Sequence, residues 1–218
     1  MQHPMFSTPH SAASPSSIHP SAPHRIAIFA SGSGSNAQRI MEYFQLHPQI
    51  QVTLVLSNNP KAGVLERAAR LNTPVQVFNR TDFYHGDEVL RVLESRGITF
   101  LVMAGFLWLM PANLVQAFPN RIVNIHPALL PRYGGKGMYG LNVHKAVVKA
   151  GEQESGITIH FVNEHYDEGQ TIFQASCPLQ PSDTPEEVAH KVLELEHRHF
   201  PRVIEQVILG KKPLGDSD

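Results

Sequence analysis

Two side chains of complementary chemistry stand two residues apart in the segment VNIHPALLPRYGGKGMYG, residues 123–140: Asn124 and His126. On an extended strand, residues two apart project from the same face. A carboxamide placed there can donate a hydrogen bond to a developing oxyanion, and an imidazolium can both donate and hand over a proton. Pro127 and Pro131 stiffen the chain that follows and hold the pair in place. A third group enters at Asp167, inside NEHYDEG (163–169), a turn in which a carboxylate needs no core partner. If that turn folds over the pair, the carboxylate raises the His126 pKa and favours its charged form, which suits general acid work near neutral pH. The competing reading is a hydrogen-bonded structural histidine, one of thirteen in the chain.

A second constellation precedes it. Gly32-Ser33-Gly34-Ser35-Asn36-Ala37 follows a short apolar run and fits the pattern G-x-G-x-x-G/A. Glycines permit a tight turn and close backbone approach, and the N–H groups of a helix N-terminus attract an anion. A dinucleotide site also requires an acidic residue about 20 positions on. Here that place reads Leu56-Ser57-Asn58-Asn59, with no carboxylate. A Walker loop needs a lysine that Ser35-Asn36 does not supply. What remains suits a single phosphate monoester, and a side chain added at Gly34 is expected to obstruct its approach. A plain tight turn between strand and helix is the alternative.

Bulk composition narrows the partners. The formal charge of -1 over 218 residues provides no global field toward nucleic acid or a membrane, so an anion must be caught locally. The single cysteine, Cys177, forms no intrachain disulfide and no cysteine metal cluster, which favours a reducing compartment. Residues 1–24 contain no Asp, Glu, Lys or Arg and are rich in Ser, Pro, Ala and His. They read as a disordered tail, without the basic start and continuous apolar segment of a signal peptide. Residues 25–212 read as one domain.

The elements that must position these groups follow from hydrophobic patterning. Apolar runs predict strands over 25–30, 50–56, 75–78, 99–104 and 121–125. Strands over 157–162 and 171–177 are joined through the turn Asp167-Glu168-Gly169 and form an antiparallel pair. In the first of these, Ile157, Ile159 and Phe161 alternate with Thr158 and His160 on the opposite face. Helices are predicted over 36–46, with Ser35 as N-cap, and over 63–71, 87–95, 112–118, with Pro111 at N1, and 142–150. Thr184, Pro185 and Glu187 open a last helix that runs to about Gly210. The fold class is therefore α/β: a Rossmann-like, mostly parallel twisted sheet with helices on both faces and an antiparallel C-terminal edge.

Taken together, SGSGSN (31–36), AGF (104–106), NIHPALLP (124–131), HFVNEHYDEG (160–169) and EH (196–197) occur in an order and spacing that resemble the phosphoribosylglycinamide formyltransferases. These are a branch of the folate-dependent formyltransferase family, and the likeness covers nearly all of the chain after His24. The resemblance implies that Asn124, His126 and Asp167 form the catalytic trio. It implies that Gly34, Ser35 and Asn36 hold the phosphate of 5-phosphoribosyl-glycinamide, and that Glu196 contacts the same substrate. Leu107, Trp108, Leu109 and Met110 match the segment lining the folate pocket. The implied co-substrate is 10-formyltetrahydrofolate, used without a metal in de novo purine biosynthesis. The implied setting is a cytoplasmic monomer or weak homodimer that acts on small molecules, with no nucleic acid and no membrane.

The chain departs from the pattern at Trp108, where relatives often carry arginine, and at Leu193, where a substrate-contacting glutamine occurs. An arginine expected in the 82–87 region is absent, and the loop 134–140 is longer than a simple Pro-Gly turn. Three other functions share parts of this pattern. A formyltetrahydrofolate deformylase shares the trio but usually adds an N-terminal regulatory domain, for which 24 residues are too few. A methionyl-tRNA formyltransferase needs a C-terminal nucleic-acid-binding domain, for which the 8 residues after Gly210 are too few. A non-catalytic nucleotide-binding module gives the trio no role.

Overall fold

The computed structural model describes residues 22–211. The expected tail at 1–24 lies outside the described residues except for its end, where His24 opens the first strand. Seven strands form one sheet: β1 (His24–Phe29), β2 (Ile50–Ser57), β3 (Val75–Val77), β4 (Phe100–Met103), β5 (Ile122–His126), β6 (Glu154–Phe161) and β7 (Thr171–Pro178). Their spatial order is β3-β2-β1-β4-β5-β6-β7. β1 to β5 run parallel, while β6 pairs antiparallel with β5 and β7 antiparallel with β6. The expected α/β class and antiparallel C-terminal edge are what the chain adopts.

The central strands are continuous apolar runs because both of their faces are covered. Ile26 and Ile28 of β1 enter one core cluster, and Ala27 and Phe29 enter the other. The first cluster is closed by α1 (Ser35–Phe44), α2 (Gly63–Arg70) and α7 (Pro185–Ile208), with α6 (Leu141–Ala150) against its edge through Val148. The second is closed by α3 (Arg80–Tyr84), α4 (Glu88–Ser95) and α5 (Ala112–Ala117) through Phe83, Leu93 and Leu114. Each such aliphatic or aromatic side chain removed from water contributes about 1.5–3 kcal/mol.

Chain order determines where a ligand can enter. From β1 the chain moves outward to β2 and β3, then returns to the other side of β1 as β4. The loops after β1 and β4 therefore diverge and open a crevice at the C-terminal ends of the strands, the usual ligand position in open α/β sheets. The glycine loop follows β1, residues 104–110 follow β4, and His126 ends β5.

Local chemistry sets several boundaries differently from the sequence expectation. The N-cap of α1 is Gly34, at φ 78°, rather than Ser35, because the turn out of β1 requires left-handed backbone. Pro111 is the N-cap of α5, in extended backbone at ψ 152°, rather than its first helical residue. α3 was not expected: five residues are too few to show a helical period, and Asn79 starts it by accepting from the Asp82 N–H. β6 begins earlier, at Glu154. Thr158 and His160, placed on the face opposite the core, are themselves buried. At α7 the expected capping box of Thr184 and Glu187 is present, with Pro185 in the first turn.

Candidate active site

One cavity of about 790 Å³ opens at the strand ends, and every residue singled out from the sequence for chemistry lines it. Asn124 and His126 project together from β5, and the β6–β7 turn brings Asp167 to them. Asp167 Oδ2 lies 3.5 Å from His126 Nδ1, and the same oxygen accepts from the Gly135 N–H at 2.9 Å. Gly169 permits this turn, since a Cβ there would overlap the Phe161 carbonyl oxygen. Asp167 itself adopts left-handed backbone at φ 57°. The following loop is tied down from β6 and β7. Thr158 Oγ1 accepts from the Leu130 N–H and donates to the Ala128 carbonyl, and the Gln174 amide donates to the Leu130 carbonyl and to Thr158 Oγ1.

His126 is 3% exposed, and its Nε2–H donates to the Tyr133 carbonyl at 2.8 Å. Burial lowers its pKa, and this outweighs the Asp167 charge and the Tyr133 hydrogen bond, both of which act the other way. The expectation that Asp167 would keep His126 charged is thus corrected for the ligand-free chain: the ring is neutral near pH 7 because desolvation dominates. For Asp167, burial acts upward, but His160, His126 and the Gly135 N–H together hold the carboxyl below its usual range.

His160 is a site residue that the sequence reading did not single out. It pairs across the antiparallel ladder with Asn124, whose Nδ2 lies 3.1 Å from His160 Nε2. His160 Nδ1 lies 2.8 Å from the Phe161 carbonyl, which requires a proton on Nδ1, and Nε2 faces both the Asn124 amide and Asp167. Asp167 Oδ1 stands 3.6 Å from the same Nε2. His160 thus orients the Asn124 amide at the cavity wall.

The glycine loop forms the N-terminus of α1. No side chain caps this helix, so its first-turn N–H groups have no side-chain acceptor. Arg67 of α2 braces the loop by donating to the Ser33 carbonyl at 2.8 Å. A Cβ on Gly34 would lie 2.5 Å from Val64 Cβ, so this glycine serves helix packing. The expectation that its bareness clears the way for a phosphate is corrected. Gly32, by contrast, lines the cavity and has no atom within 4 Å of a Cβ position. Asn36 donates to Glu196 Oε2 at 2.6 Å, while Asn36 Oδ1 is buried without a partner.

Leu107 to Met110 line the cavity after β4. Trp108 is half-buried among Phe78, Phe83, Tyr84 and Phe106, with ring centroids 5.8–6.3 Å away. The arginine missing at 82–87 has a neighbour in Arg80 of α3. Its guanidinium carbon lies 5.5 Å from the Trp108 ring centroid and 5.1 Å from that of Tyr84. The loop 134–140 covers part of the cavity with Lys136, Met138 and Tyr139. Among the described residues no three His, Cys, Asp or Glu side chains are grouped to hold a metal ion.

The family described as formyl transferase matches residues 24–204. The chain belongs to the formyl transferase family. Among its curated relatives is the chloroplastic phosphoribosylglycinamide formyltransferase of Arabidopsis thaliana, 44% identical over 83% of this chain and 64% of the relative. The corresponding cowpea (Vigna unguiculata) protein is 40% identical, and the chain spans 60% of its length. The phosphoribosylglycinamide formyltransferase of Haemophilus influenzae is 34% identical, with 88% of this chain and 91% of the relative covered. Of the solved structures, glycinamide ribonucleotide transformylase 1 from Symbiobacterium toebii aligns with TM-score 0.79 at 32% identity, covering 86% of this chain and 89% of that one.

Glu196 is 8% exposed, and burial pushes its pKa up to about 7 against the opposing Asn36 hydrogen bond. The folded chain therefore holds this proton more tightly than the unfolded chain. The resulting stability is fully present below about pH 4.5 and is lost as pH rises to about 7, by at most about 3 kcal/mol. Thermal unfolding of Glu196→Gln is expected to lack this decline. Equal slopes for variant and parent between about pH 5 and about pH 8 would exclude a proton shared by Glu196.

Proposed function

We propose that the chain transfers the formyl group of 10-formyltetrahydrofolate to the amine of 5-phosphoribosyl-glycinamide, releasing the N-formyl product and tetrahydrofolate in de novo purine biosynthesis. The observation that carries this reading is that one cavity is walled by a bare helix N-terminus, an aromatic-backed apolar segment and the Asn124–His126–Asp167 set. The first suits a phosphate monoester and the second a flat heterocycle. The third suits acyl-type transfer between them. The relatives' names support the phosphoribosylglycinamide acceptor.

In the reaction the amine attacks the formyl carbon, the bond from that carbon to the folate nitrogen breaks, and one proton passes from the amine to the departing nitrogen. Asn124 supplies an N–H to the oxygen that gains charge, a contact worth about 3 kcal/mol in comparable sites. His126 enters neutral and accepts the amine proton at Nδ1, beside Asp167, before returning it to the leaving nitrogen. The imidazolium so formed has an acceptor at each nitrogen, the Tyr133 carbonyl and Asp167. For the Nε2–H to reach the substrate, the loop that starts at Tyr133 must give up that bond. The trio acts on small molecules, in a monomer or weak homodimer. The lone thiol of Cys177 favours the cytoplasm, although two plant relatives are named as chloroplastic.

Rates measured with 10-formyltetrahydrofolate, with and without the ribonucleotide, test the reading. Tetrahydrofolate release only with the ribonucleotide supports it. Release without the ribonucleotide makes the chain a deformylase, and no release in either case leaves a binding module. Saturation with a tight folate analogue is expected to change Trp108 emission, since this is the chain's single tryptophan and it lines the cavity. Unchanged emission would place the heterocycle elsewhere.

A further inference from the structure

His144, on the first turns of α6, lines the same cavity, is 5% exposed, and has no role in the reaction as described above. Its Nδ1 is buried without a hydrogen-bond partner. An orphaned buried N–H is the rarer case in folded proteins, so an unpartnered Nδ1 is the bare nitrogen and the proton sits on Nε2 of a ring that lines the cavity. The titratable groups on neighbouring walls are His126 on β5, His160 on β6, Asp167 in the β6–β7 turn and Glu196 on α7. Burial first, and the charge of His126 second, push the His144 pKa down to about 4, so the ring is neutral at working pH and close enough to feel His126.

Resting on the reading under Proposed function, we infer that His144 is a further hydrogen-bond donor at the reacting centre, offering a neutral Nε2–H to the oxygen that gains charge during formyl transfer. Neutrality is what makes it useful. A second imidazolium beside His126 would oppose the charge that His126 must acquire, whereas a neutral ring donates without that repulsion. Because the donor matters most when the oxygen is charged, its removal lowers kcat rather than raising a Michaelis constant.

Two measurements test this. In the ligand-free chain at about pH 7, the ring ¹⁵N shifts of His144 are expected to be those of the neutral Nε2–H form; a protonated ring or the Nδ1–H form overturns the inference. In steady-state kinetics His144→Leu is expected to lose on the order of 10²-fold in kcat, with both Michaelis constants within about twofold. His144→Gln carries an N–H near the place of Nε2 and is expected to recover most of that loss. His144→Asn carries one near the place of Nδ1 and is not. The acid limb of the pH–rate profile is expected to stay where it is in His144→Gln. Parent-like kcat in His144→Leu, a change in Michaelis constant alone, rescue by Asn as good as by Gln, or a shifted acid limb would each overturn the role. If the parent transfers no formyl group, the reading of function fails first, and the ring spectrum alone then decides the tautomer.

Discussion

His126→Ala is expected to lower kcat about 10³-fold while leaving the fold and both Michaelis constants nearly unchanged, because it removes the group that carries the proton from the amine to the leaving nitrogen. Asp167→Asn is the cleaner partner experiment. Asparagine tolerates the left-handed backbone at φ 57° and can still accept from the Gly135 N–H, so the turn is retained while the negative charge is lost. A loss of about 10²-fold in kcat is expected, from the missing partner of a charged His126. Near-normal turnover in either variant would remove that residue from the mechanism, and a raised Michaelis constant alone would make it a binding contact. The pH profile adds a sign. A carboxylate acting alone on His126 would place the acid limb of kcat/KM above 6.5. Burial lowers the His126 pKa in the free chain, so the limb is expected below 6.5. A limb above 6.5 would mean that Asp167 outweighs desolvation after all.

Gly34→Val is expected to cost about 4 kcal/mol of stability, seen as a large fall in the thermal midpoint, whether or not substrate is present. The new side chain would press on Val64 Cβ and Cγ2 at 2.5 Å and on Val64 Cα at 2.7 Å, in a backbone conformation that valine resists. Gly32→Val tests the phosphate instead. No atom lies within 4 Å of its Cβ position and its backbone is outside the left-handed region, so the fold is expected to keep its midpoint within a few degrees. The valine would stand in the cavity beside the α1 N-terminus and raise the ribonucleotide Michaelis constant at least about tenfold, with that for folate unchanged. Inorganic phosphate should compete with the ribonucleotide and not with the folate. Parent-like ribonucleotide binding by Gly32→Val, or full activity on the dephosphorylated substrate, would move the phosphate away from this loop.

The segments whose structure depends on near neighbours were legible in the sequence. The unbroken apolar runs of β1 and β4 announce strands covered on both faces, and Thr184-Pro185-Glu187 announces a capped helix, because each pattern acts within a few residues. The chemistry of Asn124 and His126 was legible for the same reason: two residues of one strand share a face. Their neighbours were not. His160 stands beside Asn124 only because β5 and β6 pair antiparallel in one register, and no spacing along the chain records that pairing. His144 reaches the cavity only because α6 follows a long loop back over the strand ends. Gly34 was assigned to the ligand when its bareness answers to Val64 on another helix. The charge of His126 was the furthest out of reach. A sequence can set Asp167 in a turn near it, but the sign of the pKa shift is a contest between one carboxylate at 3.5 Å and the loss of water around the whole ring. That loss exists only when sheet, turn and loop have closed together, so the tertiary structure decided it.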